Sequence, residues 1–338
     1  MQKVAWIAHG AARAAAQPQK KNAQAELAAF NQETKMKTAF SRAGKAAGCM
    51  LLSLVGAHSA HAFEGGVSPF PVGSTGEYVA GIPPIAGLFV LEQLHYTSSK
   101  GLYDNQGDKR PIPFKMGTFS ATTRLLAGYD TTVLGARLYS QLVIPAVSLH
   151  TDVAGHSERH NGVANLTVSP AVLRWAVSDR SYAVAGLDIA LSNGSYNPTR
   201  PSVSTGYTSF QPVLGFRHND PNGLDVGVIN RLLINRENST THYRSGRGYV
   251  GEFTAGWNTG LWKMGVVGSY LNQFSDDQQG GNTIHGNRAR SFALGPSLNY
   301  NAGRYSVSLN YQRGVYATNT TKNNILGVGV TIPLWVKH

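Results

Sequence analysis

Hydrophobic and polar positions alternate most clearly over residues 247–272, on both sides of the tight turn Asn258-Thr259-Gly260. A period of two around a short glycine-containing turn predicts a β-hairpin. One face has aromatic residues at both ends of each strand and small or aliphatic residues between them, while the opposite face carries the single charges Glu252 and Lys263. This is typical of strands that cross a bilayer, with aromatics at the two water interfaces and polar groups toward a lumen. On this hairpin alone, a soluble all-β protein is the alternative.

Twelve strand-like segments follow along the chain: 87–97, 117–128, 131–147, 161–177, 181–191, 205–218, 223–235, 247–257, 261–272, 288–300, 303–316 and 323–335. Tight and long polar connections alternate without exception. The tight ones are Tyr129-Asp130, Ser178-Asp179-Arg180, Asn219-Asp220-Pro221-Asn222, Asn258-Thr259-Gly260 and Asn301-Ala302. The long ones are 98–116, 148–160, 192–204, 236–246, 273–287 and 317–322. Short periplasmic turns, long extracellular loops and an even strand number are the pattern of an outer-membrane barrel. The predicted fold class is all-β, a transmembrane antiparallel up-and-down β-barrel of about 12 strands with both termini periplasmic.

Alternation also divides the side chains between lipid and lumen. An Arg or Lys facing lipid at mid-depth costs about 2–4 kcal/mol, so charged positions should point inward. The predicted pore-lining residues are Arg124, Arg137, Gln141, Asp188, Gln211, Arg217, Glu252, Lys263, Asn310 and Gln312. The predicted membrane-interface aromatics are Tyr249, Trp257, Trp262, Tyr270 and Trp335. The inward charges either fill a narrow lumen with salt bridges or line a permeation path, and both can hold together.

In two segments the alternation does not separate a lipid-facing side from a lumen-facing side. In 87–97, Glu92 has the opposite parity to Gln93 and His95. In 223–235, Asp225 and Arg231 share their parity with the apolar Ile229 and Leu233.

A secretory signal peptide is predicted over residues 36–62. It has a basic start, an apolar stretch over 46–57 and the small-x-small site Ala60-His61-Ala62, and it is too short for a spanning helix. Residues 1–35 are Ala- and Gln-rich and form a non-native or disordered extension, with Met36 as the true start or, alternatively, a long basic region of the signal. Residues 87–338 form the predicted barrel.

An irregular arm is expected at 63–86, because this stretch contains Pro69, Pro71, Pro83 and Pro84 and does not alternate. Its apolar residues make a solvated tail unfavourable, so it should tuck into the protein. We interpret it as a plug at the periplasmic side of the barrel, with Phe63, Phe70 and Tyr78 as the plugging residues.

Charge and cysteine content exclude other classes. The net charge of +12 over 338 residues suggests nucleic acid, yet +6 of it lies in residues 1–62. No dense basic run interleaved with aromatics follows, so no nucleic-acid partner is expected. The one cysteine, Cys49, lies in the signal peptide, and a cysteine-free mature chain suits the oxidising periplasm.

No motif for nucleotide binding, zinc binding or a Gly-x-Ser-x-Gly nucleophile occurs. His150, His156 and His160 crowd one predicted loop with Asp152 and Glu158 and could hold a metal ion, although a solvated extracellular loop is the simpler and favoured explanation. The pair Asp276-Asp277 could hold Ca²⁺ or belong to a flexible loop. We expect no cofactor and no metal. Serine and histidine are plentiful, so an outer-rim hydrolase stays an alternative, without a certified pairing.

Several short stretches, in order, resemble the phenol meta-pathway degradation-like family (MetA-pathway of phenol degradation) of outer-membrane barrels. They are Glu64-Gly65-Gly66 with Pro71-Val72-Gly73, Gly162 to Leu166 with Pro170, Thr208 to Pro212, Tyr243 to Gly246, Gly286-Asn287-Arg288 with Leu294-Gly295-Pro296, and Tyr311-Gln312-Arg313. The family more often has Asp where Asn165 stands. The resemblance implies a barrel and suggests uptake of hydrophobic aromatics. The substrates of the family's members are mostly inferred from gene neighbourhood, so the resemblance supports the fold better than the transported compound.

Together these features predict an outer-membrane channel of a Gram-negative-type envelope for passive uptake of small hydrophobic or aromatic compounds. The chain is expected not to be an enzyme and to be a monomer. Its expected partners are outer-membrane lipid and lipopolysaccharide, the solutes, periplasmic chaperones and the barrel assembly machinery. The alternatives are a structural or adhesive barrel with a closed lumen and the outer-membrane hydrolase.

Overall fold

The computed structural model describes residues 62–337. The predicted extension 1–35 lies outside the described residues, and so does the signal peptide apart from Ala62. Within residues 62–337, no helix is long and apolar enough to span a bilayer. Two single-turn 3₁₀ helices, η1 (Glu64–Gly66) and η2 (Gly76–Tyr78), precede the strands.

Sixteen strands follow. They are β1 (Gly87–Ser99), β2 (Phe114–Val133), β3 (Ala136–Val153), β4 (His156–Val163), β5 (Thr167–Ser178), β6 (Ser181–Ala190), β7 (Ser209–Asn219), β8 (Leu224–Asn235), β9 (Tyr243–Arg244), β10 (Gly248–Thr259), β11 (Trp262–Gln273), β12 (Asp277–Gln279), β13 (Asn282–Ile284), β14 (Arg290–Asn301), β15 (Ser306–Thr318) and β16 (Asn324–Val336).

The main sheet closes on itself, because β1 pairs with β16 on one side and with β2 on the other. All pairings are antiparallel, and each strand pairs with its neighbours in the wall. β4 and β5 share one position, since β5 pairs with the first part of β3 and β4 with its second part. The wall therefore has twelve positions, and the predicted twelve-stranded antiparallel barrel is confirmed. β9, β12 and β13 form a separate small sheet among the long loops.

The two ends of the barrel differ as the sequence indicated, with two corrections. The turn between β2 and β3 lies at Leu134-Gly135 and not at Tyr129-Asp130, because β2 continues past a register shift near Gly128. The predicted loop 148–160 is wrong: β3 and β4 continue through it as a paired hairpin that turns at Ala154-Gly155.

The same hairpin separates His150 from His156 and His160, the other two histidines that were considered as metal ligands. Leu149 is the direct partner of His160, so those two share a face, whereas His150, next to Leu149 in the strand, points to the other face. Within residues 62–337 there is no group of three or more His, Cys, Asp or Glu side chains that could hold a metal ion.

Aliphatic and aromatic side chains cover the outward face. Trp257, Trp262 and Trp335 are exposed near the short-turn end, and Tyr270 is exposed near the long-loop end. Tyr249, also near the long-loop end, is half-buried and donates a hydrogen bond from its hydroxyl to Asn230 Oδ1 at 2.6 Å. The exposed aliphatics between the two ends include Leu94, Leu214, Val228, Leu232, Met264, Val266, Leu309, Leu326 and Val328.

The two segments that resisted assignment have different explanations. In β1, Gln93 and His95 are buried and point inward, so Glu92 points outward in mid-strand, where its carboxylate accepts a hydrogen bond from Thr123 Oγ1 at 3.0 Å. Glu92 is thus an exception to the rule that charges avoid lipid. In β8, both the charged and the apolar residues of the doubtful parity point inward, because the lumen is filled by chain and offers apolar partners.

Candidate functional site

Residues 63–86, the arm, run through the barrel lumen from the long-loop end to the short-turn end. Ahead of the arm, the amide of Ala62 donates to Asn319 O, in the connection after β15. At the far end the hydroxyl of Tyr139 donates to Pro83 O at 2.5 Å, and β1 begins four residues later. The expectation of a plug confined to the periplasmic side is therefore wrong in extent. The first residue of β1 and the last residue of β16 pair with each other at the short-turn end, so the wall starts and ends on the side predicted to be periplasmic.

At the long-loop end, polar contacts hold Glu64 of the arm. Its carboxylate accepts hydrogen bonds from Tyr196 Oη at 2.9 Å, Asn238 Nδ2 at 2.9 Å and Thr241 Oγ1 at 2.5 Å. Its backbone amide donates to Ser245 Oγ at 3.0 Å. These donors come from two different long connections, so one carboxylate joins the arm to both.

Next to this carboxylate, Phe63 is fully buried in an apolar cluster. It packs with Ala62, Leu233, Val250, Leu271 and Ala289, and the partly buried Phe70 and Val72 complete the cluster. Burying a phenylalanine side chain is worth about 1.5–3 kcal/mol. The arm is thus held at this end by apolar as well as polar contacts.

In the middle of the lumen, Glu252 of β10 binds the backbone of the arm. Its carboxylate accepts from Gly73 N at 2.8 Å and from Thr75 N at 3.3 Å, and also from the hydroxyl of Thr75. Gly73 has φ +90°, and a Cβ placed there would lie 2.6 Å from Ile325 Cδ1. Both the positive φ and the close approach require glycine at this point.

One turn further, the arm supplies its second charge. Glu77 Oε2 lies 2.7 Å from Lys263 Nζ, and both side chains are almost completely buried, at 2% and 1% exposure. Lys263 also lies 3.3 Å from Asp225, which in turn binds Arg217 through two hydrogen bonds of 2.9 and 2.8 Å. Arg217 donates to the carbonyl oxygens of Glu77 and Val79 as well. A buried ion network, and not only apolar packing, therefore fixes this part of the arm.

A second buried pair lies on neighbouring strands of the same part of the wall, closer to the long-loop end. Arg231 of β8 donates to Asp188 of β6 at 2.5 Å and to Gln211 Oε1 at 3.0 Å, and its guanidinium stacks on Phe70 of the arm at 4.1 Å from the ring centre. Asp188 also accepts from Ser169 Oγ and from Gln141 Nε2. Both carboxylate oxygens of Asp188 are thus engaged.

A narrow cavity of about 40 Å³ remains between the arm and the wall formed by β2, β3 and β5 to β8. Arg124, Gln141, Asp188 and Arg231 line one part of it, and Val172, Val184, Val213 and Ile229 line another. The arm borders it with Thr75, Tyr78, Ala80, Gly81 and Ile82. A water needs about 10–15 Å³ of such space, so the cavity accommodates a few water molecules.

The residues predicted to line the pore all lie on inward-facing positions of the wall. Asp188, Gln211, Arg217, Glu252, Lys263, Asn310 and Gln312 are buried there. Arg137 lies at the short-turn rim, 3.7 Å from Asp130. Of the predicted plug residues, Phe63 and Phe70 lie in the long-loop half, and Tyr78 approaches Gly329 of β16. Whether the wall residues line a permeation path stays a prediction.

Sequence reasoning missed the partners that the arm and the wall share. Glu77 was not selected, although it is the one charged residue between Glu64 and Glu92 in an otherwise uncharged stretch. Asp225 and Arg231 were set aside because of their apolar neighbours. The signal that could have identified all three is a charge in a sequence context that is otherwise apolar, since such charges are retained only with partners.

A second polar cluster closes the long-loop end above the lumen. The carboxylate of Asp277 in β12 accepts hydrogen bonds from Tyr243 Oη, Gly246 N, Gln273 Nε2 and Asn287 Nδ2 at 2.5–2.8 Å. Burial nevertheless raises the pKa of Asp277 above its ordinary value. Burial likewise raises the pKa of the Tyr196 hydroxyl to about 12, with Glu64 adding to the effect.

Comparison with known proteins agrees with this architecture. A crystallised outer membrane channel from Pseudomonas putida F1 is similar with a TM-score of 0.66 and 15% identity, over 76% of this chain and 98% of that chain. The translocator domain of the autotransporter NalP from Neisseria meningitidis gives a TM-score of 0.44 at 13% identity, over 73% of this chain and 88% of that chain. At 15% identity the likeness concerns the fold, which is that of a Gram-negative outer-membrane barrel.

A search of curated proteins finds no match. The family model described as "Putative MetA-pathway of phenol degradation" matches residues 99–328, more than half of the chain. The resemblance drawn from the short stretches is thereby confirmed, and this chain belongs to the MetA-pathway of phenol degradation family.

Proposed function

We propose that this protein is an outer-membrane channel that passively admits small hydrophobic or aromatic compounds. The observation that carries the proposal is the apolar part of the lumen. Val172, Val184, Val213 and Ile229 point inward and border free space beside the arm. The interior of a porin-type barrel is usually polar, so inward aliphatics favour solutes with apolar surface. The name of the family supports aromatic compounds as the solute class.

The arm determines how such a channel works. It fills the lumen along its whole length, so a solute passes only beside the arm or after part of it has moved. The contacts that hold the arm are mostly hydrogen bonds and ion pairs to the wall, which water can replace in an open state. We infer a channel that is closed at rest and opens by local displacement of the arm.

The adhesive barrel with a closed lumen remains the second candidate, since the arm closes the lumen and the long-loop end is folded into a small sheet of its own. A hydrolase is not favoured. In the described residues the serine–histidine hydrogen bond is that of Ser181 Oγ with His218 Nδ1 at 2.9 Å, at the short-turn end. No carboxylate of residues 62–337 bonds to that histidine, so the arrangement lacks the third member of a triad.

The remaining partners follow from the same proposal. The outward aliphatics and aromatics would contact outer-membrane lipid and, in the outer leaflet, lipopolysaccharide. Periplasmic chaperones and the barrel assembly machinery would deliver and insert the chain, with the C-terminal strand β16 and its Trp335 as the recognised segment. The closed wall has no unpaired barrel edge to recruit a second copy, which favours a monomer.

The test is solute entry into liposomes that contain refolded 63–338. Entry of small phenols and benzoates is compared with that of size-matched sugars, after subtraction of the rates in protein-free liposomes. Faster protein-dependent entry of the aromatics is expected. Protein-dependent entry of neither class would refute the channel and favour the closed adhesive barrel.

A further inference from the structure

Arg124 stands out among the lumen charges because it makes no hydrogen bond and no ion pair with any residue of the described chain 62–337. Its Nε atom is buried without a partner. By contrast, Arg217 binds Asp225 and Arg231 binds Asp188. A guanidinium has five N–H donors, and a buried donor that makes no hydrogen bond costs free energy.

The nearby carboxylates make no hydrogen bond with Arg124 in the present arrangement. Asp188 directs one oxygen to Ser169 and Gln141 and the other to Arg231. Glu252 directs its two oxygens to Gly73 and Thr75 of the arm. Arg124 therefore interacts with Asp188 and Glu252 through charge alone, without a hydrogen bond, and it borders the free space between the arm and the wall.

That space has two chemically different parts. Arg124 contributes free donors to one part, and the aliphatic side chains of Val172, Val184 and Ile229 border the rest. A ligand that satisfies both is anionic at one end and apolar at the other. A planar carboxylate matches the fork of a guanidinium through two parallel hydrogen bonds.

We propose that the cavity beside Arg124 binds small aromatic carboxylates, with the carboxylate on the guanidinium and the ring against the aliphatic wall. This inference rests on the proposed function and narrows its solute class to aromatic acids. A phenol titrates near pH 10 and a carboxylic acid near pH 4. At neutral pH the acid is therefore an anion that can pair with the Arg124 guanidinium, whereas the phenol is neutral.

The ring of an aromatic carboxylate needs more room than the 40 Å³ that the cavity offers. Tyr78 of the arm borders the cavity, and its hydroxyl has no hydrogen-bond partner among the described residues. No polar contact therefore holds this ring in place, and its rotation is the adjustment that admits the ligand. Binding of an aromatic acid and displacement of this part of the arm are thus coupled.

The experiment is isothermal titration calorimetry on 63–338 in phosphatidylcholine nanodiscs, with sodium benzoate and with benzamide. These two ligands share the ring and differ in the charge of the head group. We expect the wild type to bind benzoate at least about tenfold more tightly than benzamide, as one charge-assisted hydrogen-bonded pair provides. Arg124→Gln should weaken benzoate about tenfold and change benzamide less than about twofold.

Two further variants keep the result interpretable. Arg180→Gln removes an exposed arginine at the short-turn end, outside the cavity, and should leave both affinities unchanged. Arg124→Lys keeps the charge without the fork and should retain part of the preference for benzoate; it also serves if Arg124→Gln fails to show the gel-shift of a folded barrel. Equal affinities in the wild type, no benzoate binding, or an unchanged benzoate preference in the Arg124 variants would overturn the proposal.

The outcome is separable from that of the liposome test. Benzoate binding that depends on Arg124, without protein-dependent flux of any aromatic, would support the site and refute the channel. If aromatics enter the liposomes but the preference for benzoate over benzamide is the same in the Arg124 variants as in the wild type, the channel is supported and the site is refuted.

Discussion

The buried pair of Glu77 and Lys263 offers a direct test of how the arm is held. Glu77→Gln removes the one charge that the arm contributes at mid-lumen, and with it the 2.7 Å contact to Lys263 Nζ. Lys263 keeps Thr254 Oγ1 at 2.7 Å and Asp225 at 3.3 Å, so it is not left without a partner. The loss is therefore below the 3–5 kcal/mol typical of an orphaned buried charge.

One hydrogen bond between charged groups contributes about 1.5–3 kcal/mol, and about 2 kcal/mol is the expected cost to arm docking. Because 1.4 kcal/mol is a factor of ten, the ratio of displaced to docked arm should rise about 30-fold. Single-channel recording in planar bilayers measures this ratio as the fraction of time spent in the high-conductance state.

The expected result has two controls. Arg180→Gln breaks the ion pair with Asp220 at the short-turn end, where the Arg180 side chain is exposed. Because a surface ion pair contributes little to stability, this variant should leave the open fraction nearly unchanged. Glu77→Gln combined with Lys263→Met removes both charges, and it should restore much of the closed state because the cost of burying the ammonium is removed together with the contact to Glu77. An open fraction in Glu77→Gln equal to that of the wild type would refute the role assigned to the ion pair.

Three other predictions concern separate features. A Cβ on Gly215 would lie 3.2 Å from Ala80 Cβ, slightly closer than the roughly 3.5–4.5 Å of a disulfide. After a small outward shift of the arm, Ala80→Cys with Gly215→Cys should therefore form a disulfide that ties the arm to β7. Solute entry into liposomes should fall on oxidation and return with reductant, and equal rates in both states would show that the arm need not move there. Glu92→Leu should raise the free energy of barrel unfolding in urea by about 1–2 kcal/mol, because a carboxylate facing lipid is costly. In the described chain the Glu92 carboxylate has Thr123 as its one hydrogen-bond partner. A loss of stability would mean that the outward carboxylate has a further partner. The pKa of Asp277 is raised on folding, so its contribution to the stability of the long-loop sheet is fullest below the ordinary value and declines as pH rises through the raised pKa. Amide exchange in β12, corrected for intrinsic rates, should thus be slower at about pH 3.5, below the ordinary range of an aspartate, than at pH 8, and the reverse order would contradict the assignment.

The barrel could be predicted because a strand in a bilayer has two chemically different faces, and the residues of 247–272 alternate accordingly. Where strands extend beyond the membrane, both faces meet water and the alternation disappears. For this reason the sequence pattern predicted a loop over residues 148–160, although these residues form a regular hairpin.

The path of the arm could not be predicted for a related reason. Its residues have no period, and its position depends on single contacts, such as the fit of Gly73 against Ile325 and the pairing of Glu77 with Lys263. The sequence shows that such a segment must be buried, but not along which wall. Arg124 illustrates the remaining gap, since its inward direction follows from alternation whereas its lack of a partner is visible only in three dimensions.

The route of the arm has a consequence for assembly. The arm precedes β1, whereas the wall closes only when β1 pairs with β16, the last strand of the chain. A segment that reaches from one end of a closed cylinder to the other must lie inside before the seam forms, or else thread through it afterwards against a filled interior. The wall therefore forms around the arm as a template, and variants that weaken the arm should slow closure of the seam as well as loosen the finished lumen.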